Sequence, residues 1–159
     1  MGARGEALAK KFEAKVNEAT GVLEKISDAD WKKVTTAEKW PVGVVAHHVA
    51  MGHEGIGRLV KMVASGKSAE NFTMDMIHDM NAKHAKEFAN VTKAETVALH
   101  KKNAASAAAV VRGLNDADLD KSGSPLTGAP PMTAEQVINN ILIHHIDDHL
   151  GSIRATVVR

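Results

Sequence analysis

Apolar side chains recur every three or four residues along most of the chain. Near the N-terminus they stand at Leu8, Phe12, Val16, Leu23 and Ile26. This spacing places them on one face of a helix, because an α-helix completes a turn in about 3.6 residues. The serine and aspartate that follow are typical of a helix boundary. We therefore predict a first helix over about residues 4–26.

The same periodicity continues through the middle of the chain. A second helix is predicted over about residues 41–64, with Pro41 in its first turn and Ser65–Gly66 at its end. Proline suits the start of a helix and glycine suits its exit. A shorter amphipathic helix follows over about residues 73–89. The positions on its inward side are Ile77, Asn81, His84 and Phe88.

Two capping-box patterns mark the remaining long helices. Thr92 with Glu95 precedes one helix, and Thr133 with Gln136 opens the last, since each pair can satisfy free N–H groups at a helix start. The linker SGSPLTGAPP lies between them. No segment alternates with the period of a strand. The pattern predicts an all-α protein, a four-helix bundle with one additional short helix.

Length and composition favour one globular domain over residues 1–159. Of these residues 44% are hydrophobic and 25% charged, and the formal net charge is +1. This balance gives no electrostatic argument for nucleic acid or an anionic membrane as partner. No apolar run has the length of a bilayer span, and the N-terminus lacks a hydrophobic signal core. We therefore expect a cytoplasmic protein.

The chain has no cysteine. It therefore supplies neither a disulfide nor a thiolate nucleophile of its own. Any thiol chemistry must use a thiol brought from outside.

Histidines interrupt the apolar faces of two predicted helices. On a helical wheel, His145 and His149 fall within the apolar arc of the last helix, and His48 falls within that of the second. The neighbouring His47 and His144 fall on the polar faces, although the doubled pairs keep both as alternatives to the inward residues. The arc of the last helix consists of Ile138, Ile141, Leu142, Ile146 and Ile153.

The spacing of the inward histidines favours a metal site. His145 and His149 are one turn apart and can grip one ion, and His48 from a facing helix supplies a third imidazole. Three histidines with an open fourth position are typical of catalytic zinc sites. Imidazole also suits nickel, copper and iron. The alternative is a hydrogen-bonded polar network in the core, because an unpaired buried imidazole costs about 1–3 kcal/mol.

For several other residues on these helices, a structural role is the favoured interpretation. His53, His84 and His100 lie on or at the edge of apolar faces, where each can line a pocket or satisfy a backbone group. Asp148 can accept an imidazole N–H or remain a solvated carboxylate. The methionines of the short helix fit gap-filling positions in the core. These are Met74, Met76 and Met80.

Two separated segments resemble those of a known family. WPVGVVAHHVA places Trp40 eight residues before His48, and HHIDDHLGSIRA carries His145 and His149. With the DADW and NDADLD segments that precede these helices, they resemble the DinB/YfiT-like superfamily. The resemblance implies an up-down-down-up bundle, frequent homodimers and a divalent metal on these three histidines. Pro41 stands where that family commonly has serine or threonine.

The resemblance also sets the functional expectation. Characterised members include thiol-dependent transferases and an isomerase that use mycothiol, bacillithiol or glutathione. We expect a metal-dependent enzyme, with zinc, nickel or iron, that uses a low-molecular-weight thiol on a small electrophile. The alternatives are a metal-dependent hydrolase and a non-catalytic metal- or ligand-binding module of a stress response.

Overall fold

The computed structural model describes residues 2–157, and most of them are helical. The bundle helices are α1 (Ala3–Glu24), α3 (Val42–Ala64), α5 (Lys93–Arg112) and α8 (His144–Thr156). The shorter helices are α2 (Asp28–Trp31), α4 (Met74–Glu87), α6 (Asp116–Asp120) and α7 (Ala134–Val137). A π-helical segment, Ile138–Ile143, joins α7 to α8, and β1 (Ser122–Gly123) pairs antiparallel with β2 (Met132–Thr133).

The side-chain contacts fix the direction of α5 relative to α1 and α3. A Cβ atom at Gly5, near the start of α1, would lie 2.5 Å from the carbonyl oxygen of Leu114, just beyond the end of α5. Helices α1 and α5 are therefore antiparallel. Asn103 of α5 donates to the carbonyl oxygen of Ala50 in α3 at 3.0 Å, and Ala107 faces Gly57. Helices α3 and α5 are therefore parallel.

Helix α8 is parallel to α1 and antiparallel to α3. Lys15 pairs with Asp147 at 3.0 Å, and Glu18 pairs with Arg154 at 3.1 Å, so both helices run in the same direction. On the other side, His145 near the start of α8 faces Gly52 in the middle of α3. The order of directions is up-down-down-up, which confirms the predicted bundle.

Local capping explains where several helices begin. Thr133 accepts from the Gln136 N–H at 3.1 Å, and Gln136 accepts from the Thr133 N–H at 2.9 Å, which confirms the predicted capping box. Thr92 likewise accepts from the Glu95 N–H at 3.1 Å. The DADW segment forms a short helix, which the Ser27 hydroxyl caps by accepting from the Asp30 N–H. The β1–β2 ladder is too short to show in the hydrophobic pattern.

Helix α4 covers α3 without entering the core. None of its residues is fully buried. The four positions predicted to face inward are half-buried. The methionines, however, do not fill gaps in the core: Met74, Met76 and Met80 are 49%, 44% and 56% exposed. They lie on the outer face, since α4 packs only one side against the bundle.

Within residues 2–157, no helix combines the length and the hydropathy that a bilayer span requires.

Candidate metal centre

Three histidine side chains from two antiparallel helices meet near the surface of the bundle. His48 belongs to α3, and His145 and His149 stand one turn apart on α8; all three are half-buried. Their ligating nitrogens all lie within 4.8 Å of one another. The Nε2 atoms of His48 and His145 are 3.0 Å apart. This is close to the separation of about 3.3 Å between two imidazole nitrogens bound to one tetrahedral zinc ion. The geometry thus suits one ion.

The structure separates the inward histidines from their alternatives. His144 is exposed on α8. His47 was expected on the polar face of its helix, and that expectation is wrong, because His47 is only 4% exposed. Helix α4 covers it, and the His47 Nδ1 lies 2.7 Å from His84 Nε2. The wheel of α3 alone contains no information about α4.

A glycine provides the space for the His145 ring. A Cβ atom at Gly52 of α3 would lie 2.6 Å from Cε1 and 2.9 Å from Nδ1 of His145. Real side chains do not approach so closely, so only glycine at this position lets the imidazole reach His48. The close packing of α3 against α8 therefore depends on Gly52.

The π-helical segment precedes the metal-site histidines on the last helix. The helical wheel assumed a regular α-helix, yet Ile143 and Leu150 are also buried and Ile141 is partly exposed. A π turn contains more residues than an α turn and so shifts the phase of the residues that follow. His145 and His149 both follow the π segment, so their mutual spacing is that of an α-helix. Such turns are frequent at functional sites.

Glu38 holds His149 in one orientation and one tautomer. The His149 Nδ1–H donates to Glu38 Oε2 at 2.7 Å, and the Ser152 hydroxyl donates to Glu38 Oε1 at 2.5 Å. Because a carboxylate only accepts, the proton of a neutral His149 lies on Nδ1 and its Nε2 carries a free lone pair. This is the arrangement that metal-binding histidines commonly show.

The Glu38 carboxyl is ionised at neutral pH. Burial by itself raises its pKa, but hydrogen bonds from Ser152, His149 and Thr35 more than offset this, so the pKa is lowered. Asp148 was a candidate acceptor for an imidazole N–H, but it is exposed on α8. Glu38 was missed because it lies in the loop before α3, 111 residues from His149.

The loop that carries Glu38 also places Trp40 against the site. The Thr35 N–H donates to the Trp40 carbonyl at 2.9 Å, and the Lys39 N–H donates to the Thr35 carbonyl at 3.1 Å. Lys39 adopts a φ of 62°, a conformation that the tight turn requires. The Trp40 ring then packs edge-on against His48 with ring centroids 5.4 Å apart.

A second histidine pair is part of the core. His53 and His100 are 1% and 0% exposed. The His100 Nε2–H donates to the Val16 carbonyl at 3.3 Å, so the Nδ1 of neutral His100 accepts from His53 Nε2 at 3.0 Å. His53 and His100 therefore form a hydrogen-bonded structural pair and are not among the three candidate ligands.

Burial keeps the imidazoles of His48 and His145 neutral at pH 7. It lowers the pKa of His48 to about 4 and that of His145 to about 2, and the neighbouring histidines lower both further. Neutral imidazole is the form that binds metal. The Nδ1 atom of His145 is buried and has no hydrogen-bond partner among the described residues, so no side chain fixes the tautomer of His145 as Glu38 fixes that of His149.

A family model named DinB superfamily matches residues 11–153. The chain belongs to the DinB superfamily. A search of curated protein sequences finds no match.

Solved structures show the same fold. A crystal structure of the mycothiol-dependent maleylpyruvate isomerase superposes with a TM-score of 0.75 at 11% identity, over 94% of this chain and 60% of that one. A point mutant of the isomerase gives 0.73 at 10% identity. YfiT from Bacillus subtilis, described as a probable metal-dependent hydrolase with an unusual four-helix bundle topology, gives 0.70 at 17% identity, over 96% of this chain and 83% of that one.

At these identities the likeness establishes the fold of the DinB protein. The chain spans 60% of the length of the isomerase. The isomerase therefore has a substantial part that the DinB chain does not match.

Without metal, the DinB protein should lose stability as the pH falls from 7 to about 5. Burial lowers the pKa of His53 from 6.5 to about 3 in the folded protein. The unfolded chain therefore binds this proton first, and the stability present above pH 6.5 is lost below it. His53 alone accounts for roughly 2 kcal/mol over this interval, and His100 and His145 act in the same direction.

Urea unfolding of chelator-treated protein at both pH values measures this change. The exposed His78 provides a control, since a His78→Asn variant should keep the same pH dependence. A free energy of unfolding that stays constant between these pH values would contradict the buried, neutral state of the imidazoles.

Replacing Gly52 with alanine should displace the His145 ring. The new methyl group would overlap the imidazole, and such overpacking costs about 1–3 kcal/mol of the free energy of unfolding. Gly55 is the matched control, because it lies on the same helix and a Cβ there meets no atom within 4 Å. Gly55→Ala should stabilise the helix by about 0.5–1 kcal/mol. Urea unfolding of both variants checks the contrast, and equal effects would mean that His145 lies elsewhere.

Proposed function

We propose that His48, His145 and His149 bind one divalent ion and that the protein is a metal-dependent enzyme. In this proposal it uses a low-molecular-weight thiol to attack a small electrophile, in the manner of a thiol S-transferase. The observation that carries the proposal is the convergence of three imidazoles whose ligating nitrogens lie within 4.8 Å of one another. Their half-buried position leaves the site open to small molecules.

The donor set suits a catalytic ion better than a structural one. Structural zinc sites are usually closed by four protein ligands, whereas three histidines leave a position for an external molecule. Zinc, nickel and iron all accept three imidazoles. A divalent ion bound there supplies Lewis acidity, which lowers the pKa of a thiol or a water molecule that binds to it.

The surrounding residues have separate roles in this proposal. Glu38 orients His149 and adds a negative charge beside the ligands, which strengthens metal binding by imidazole. The His149 and Glu38 side chains are only 14% and 10% exposed, so water competes little for their hydrogen bond. Trp40 shields one face of His48 from solvent.

The thiol is inferred from chemistry and from a structural relative. The chain has no cysteine, so a sulfur nucleophile must come from solution. One relative of the same fold is named for its dependence on mycothiol. We propose the cytoplasm as the location, because thiols are kept reduced there, and a homodimer as the assembly.

A metal-dependent hydrolase is the second candidate. The observation that favours it is the likeness to YfiT, which is described as a probable metal-dependent hydrolase and is covered over 83% of its length. The same three histidines would then hold an ion that activates water in place of a thiol. A metal-binding module without turnover is the third candidate.

One assay distinguishes the three candidates. Metal-loaded protein is mixed with an aryl halide, an epoxide or an activated ester, each with and without mycothiol, bacillithiol or glutathione, and loss of thiol and of electrophile is followed. The thiol-dependent enzyme consumes both together, and a His149→Ala variant does not. Turnover without thiol would favour the hydrolase. No turnover with any pair would overturn the catalytic proposal.

Removal of the Glu38 carboxylate should weaken metal binding. We expect Glu38→Ala to lower the affinity about 10- to 100-fold, because loss of a carboxylate that orients a metal-binding histidine typically has an effect of this size. Competition with a chromogenic chelator measures the affinity. Glu54→Ala removes an exposed carboxylate from α3 as the control and should leave it unchanged. Equal affinities of the Glu38 and Glu54 variants would contradict the role given to Glu38.

A further inference from the structure

Helix α4 brings one more imidazole to the edge of the metal centre. The ring of His84 lies 5.8 Å from the ring of His48, measured between centroids. His84 is half-buried and comes from a helix that only covers the bundle. A small molecule that enters beside His48 therefore comes within reach of α4.

Two contacts hold the His84 ring in place. Its Nε2 lies 2.7 Å from His47 Nδ1, which is a hydrogen bond. The Phe88 ring stacks on His47 with centroids 4.1 Å apart and lies 5.0 Å from the His84 ring. His47 and Phe88 thus fix the orientation of His84.

The other nitrogen of His84 has no hydrogen-bond partner within residues 2–157. Its Nδ1 is buried, and no described residue offers it a hydrogen bond. In a neutral imidazole one nitrogen carries the proton and the other a lone pair. If Nε2 accepts from His47, Nδ1 is a donor; if Nε2 donates to His47, Nδ1 is an acceptor. In both arrangements Nδ1 keeps one unused hydrogen-bonding capacity, which buried polar groups rarely do.

We infer that His84 Nδ1 forms a hydrogen bond with a polar group of the small molecule that binds at the open metal position. His84 is then a specificity-determining residue on α4, and His47 is the residue that positions it. This inference rests on the proposed function, because it requires an ion on the three histidines.

Two amide substitutions separate this role from a purely structural one. The asparagine amide reaches about as far as Nδ1 of histidine, and the glutamine amide about as far as Nε2. His84→Asn therefore keeps a polar atom for the bound molecule and loses the bond to His47. His84→Gln keeps the bond to His47 and loses the polar atom at Nδ1.

The experiment uses protein loaded with Co²⁺ and titrated with 2-mercaptoethanol, followed by the visible absorption of the ion. Cobalt content should be the same in the wild type and in all His84 variants. We expect His84→Ala and His84→Gln to weaken thiol binding about threefold to tenfold, the size of one hydrogen bond. His84→Asn should stay close to the wild type. The exposed His78 of the same helix provides the control variant, His78→Ala, which should bind like the wild type.

Two results would overturn the inference while the metal site stands. Equal dissociation constants for 2-mercaptoethanol in all variants would show that Nδ1 makes no contact with the bound thiol. If His84→Gln kept the wild-type affinity and His84→Asn lost it, His84 would act only through His47. A wild type that binds no cobalt would overturn both the inference and the proposed function, and the cobalt content identifies this case.

Discussion

The arrangement of the site follows from the need to keep several imidazoles in a small bundle without charging them. Three of them meet at the junction of α3 and α8, and two more form a pair in the core. Each imidazole loses hydrogen bonds to water on burial, and a protein hydrogen bond, a metal ion or a neighbouring ring must replace them. In the core pair, the Val16 carbonyl provides this replacement. In the site the replacement is only partial, since His145 Nδ1 has no hydrogen-bond partner among the described residues.

Local features far apart in the chain make this arrangement fit. Gly52 removes the side chain that would occupy the place of His145. The turn at Lys39 brings a carboxylate to His149 and an indole ring to His48. A π-helical segment adjusts the last helix just before its histidines. The geometry therefore depends on the bundle as a whole and not on the H-x-x-x-H motif alone.

The bundle and the grouping of His48, His145 and His149 could be predicted because both depend on helical periodicity, which is local. The acceptor for His149 could not, since Glu38 comes from a loop and no periodic pattern connects it to α8. His47 was misplaced for a related reason: the wheel of one helix does not show that α4 covers its polar side. The π segment has no sequence signature, and the predicted arc did not include Ile143, which is buried.

The most direct measurement is the metal content of protein purified without an affinity tag. It is compared with His48→Ala and with the double variant His145→Ala/His149→Ala, each shown to be folded by circular dichroism. The account predicts about one divalent ion per chain in the wild type and none in either variant. If the wild type bound no ion even after incubation with zinc, nickel and iron, the three histidines would form a buried polar network, and the metal-centred account would be wrong.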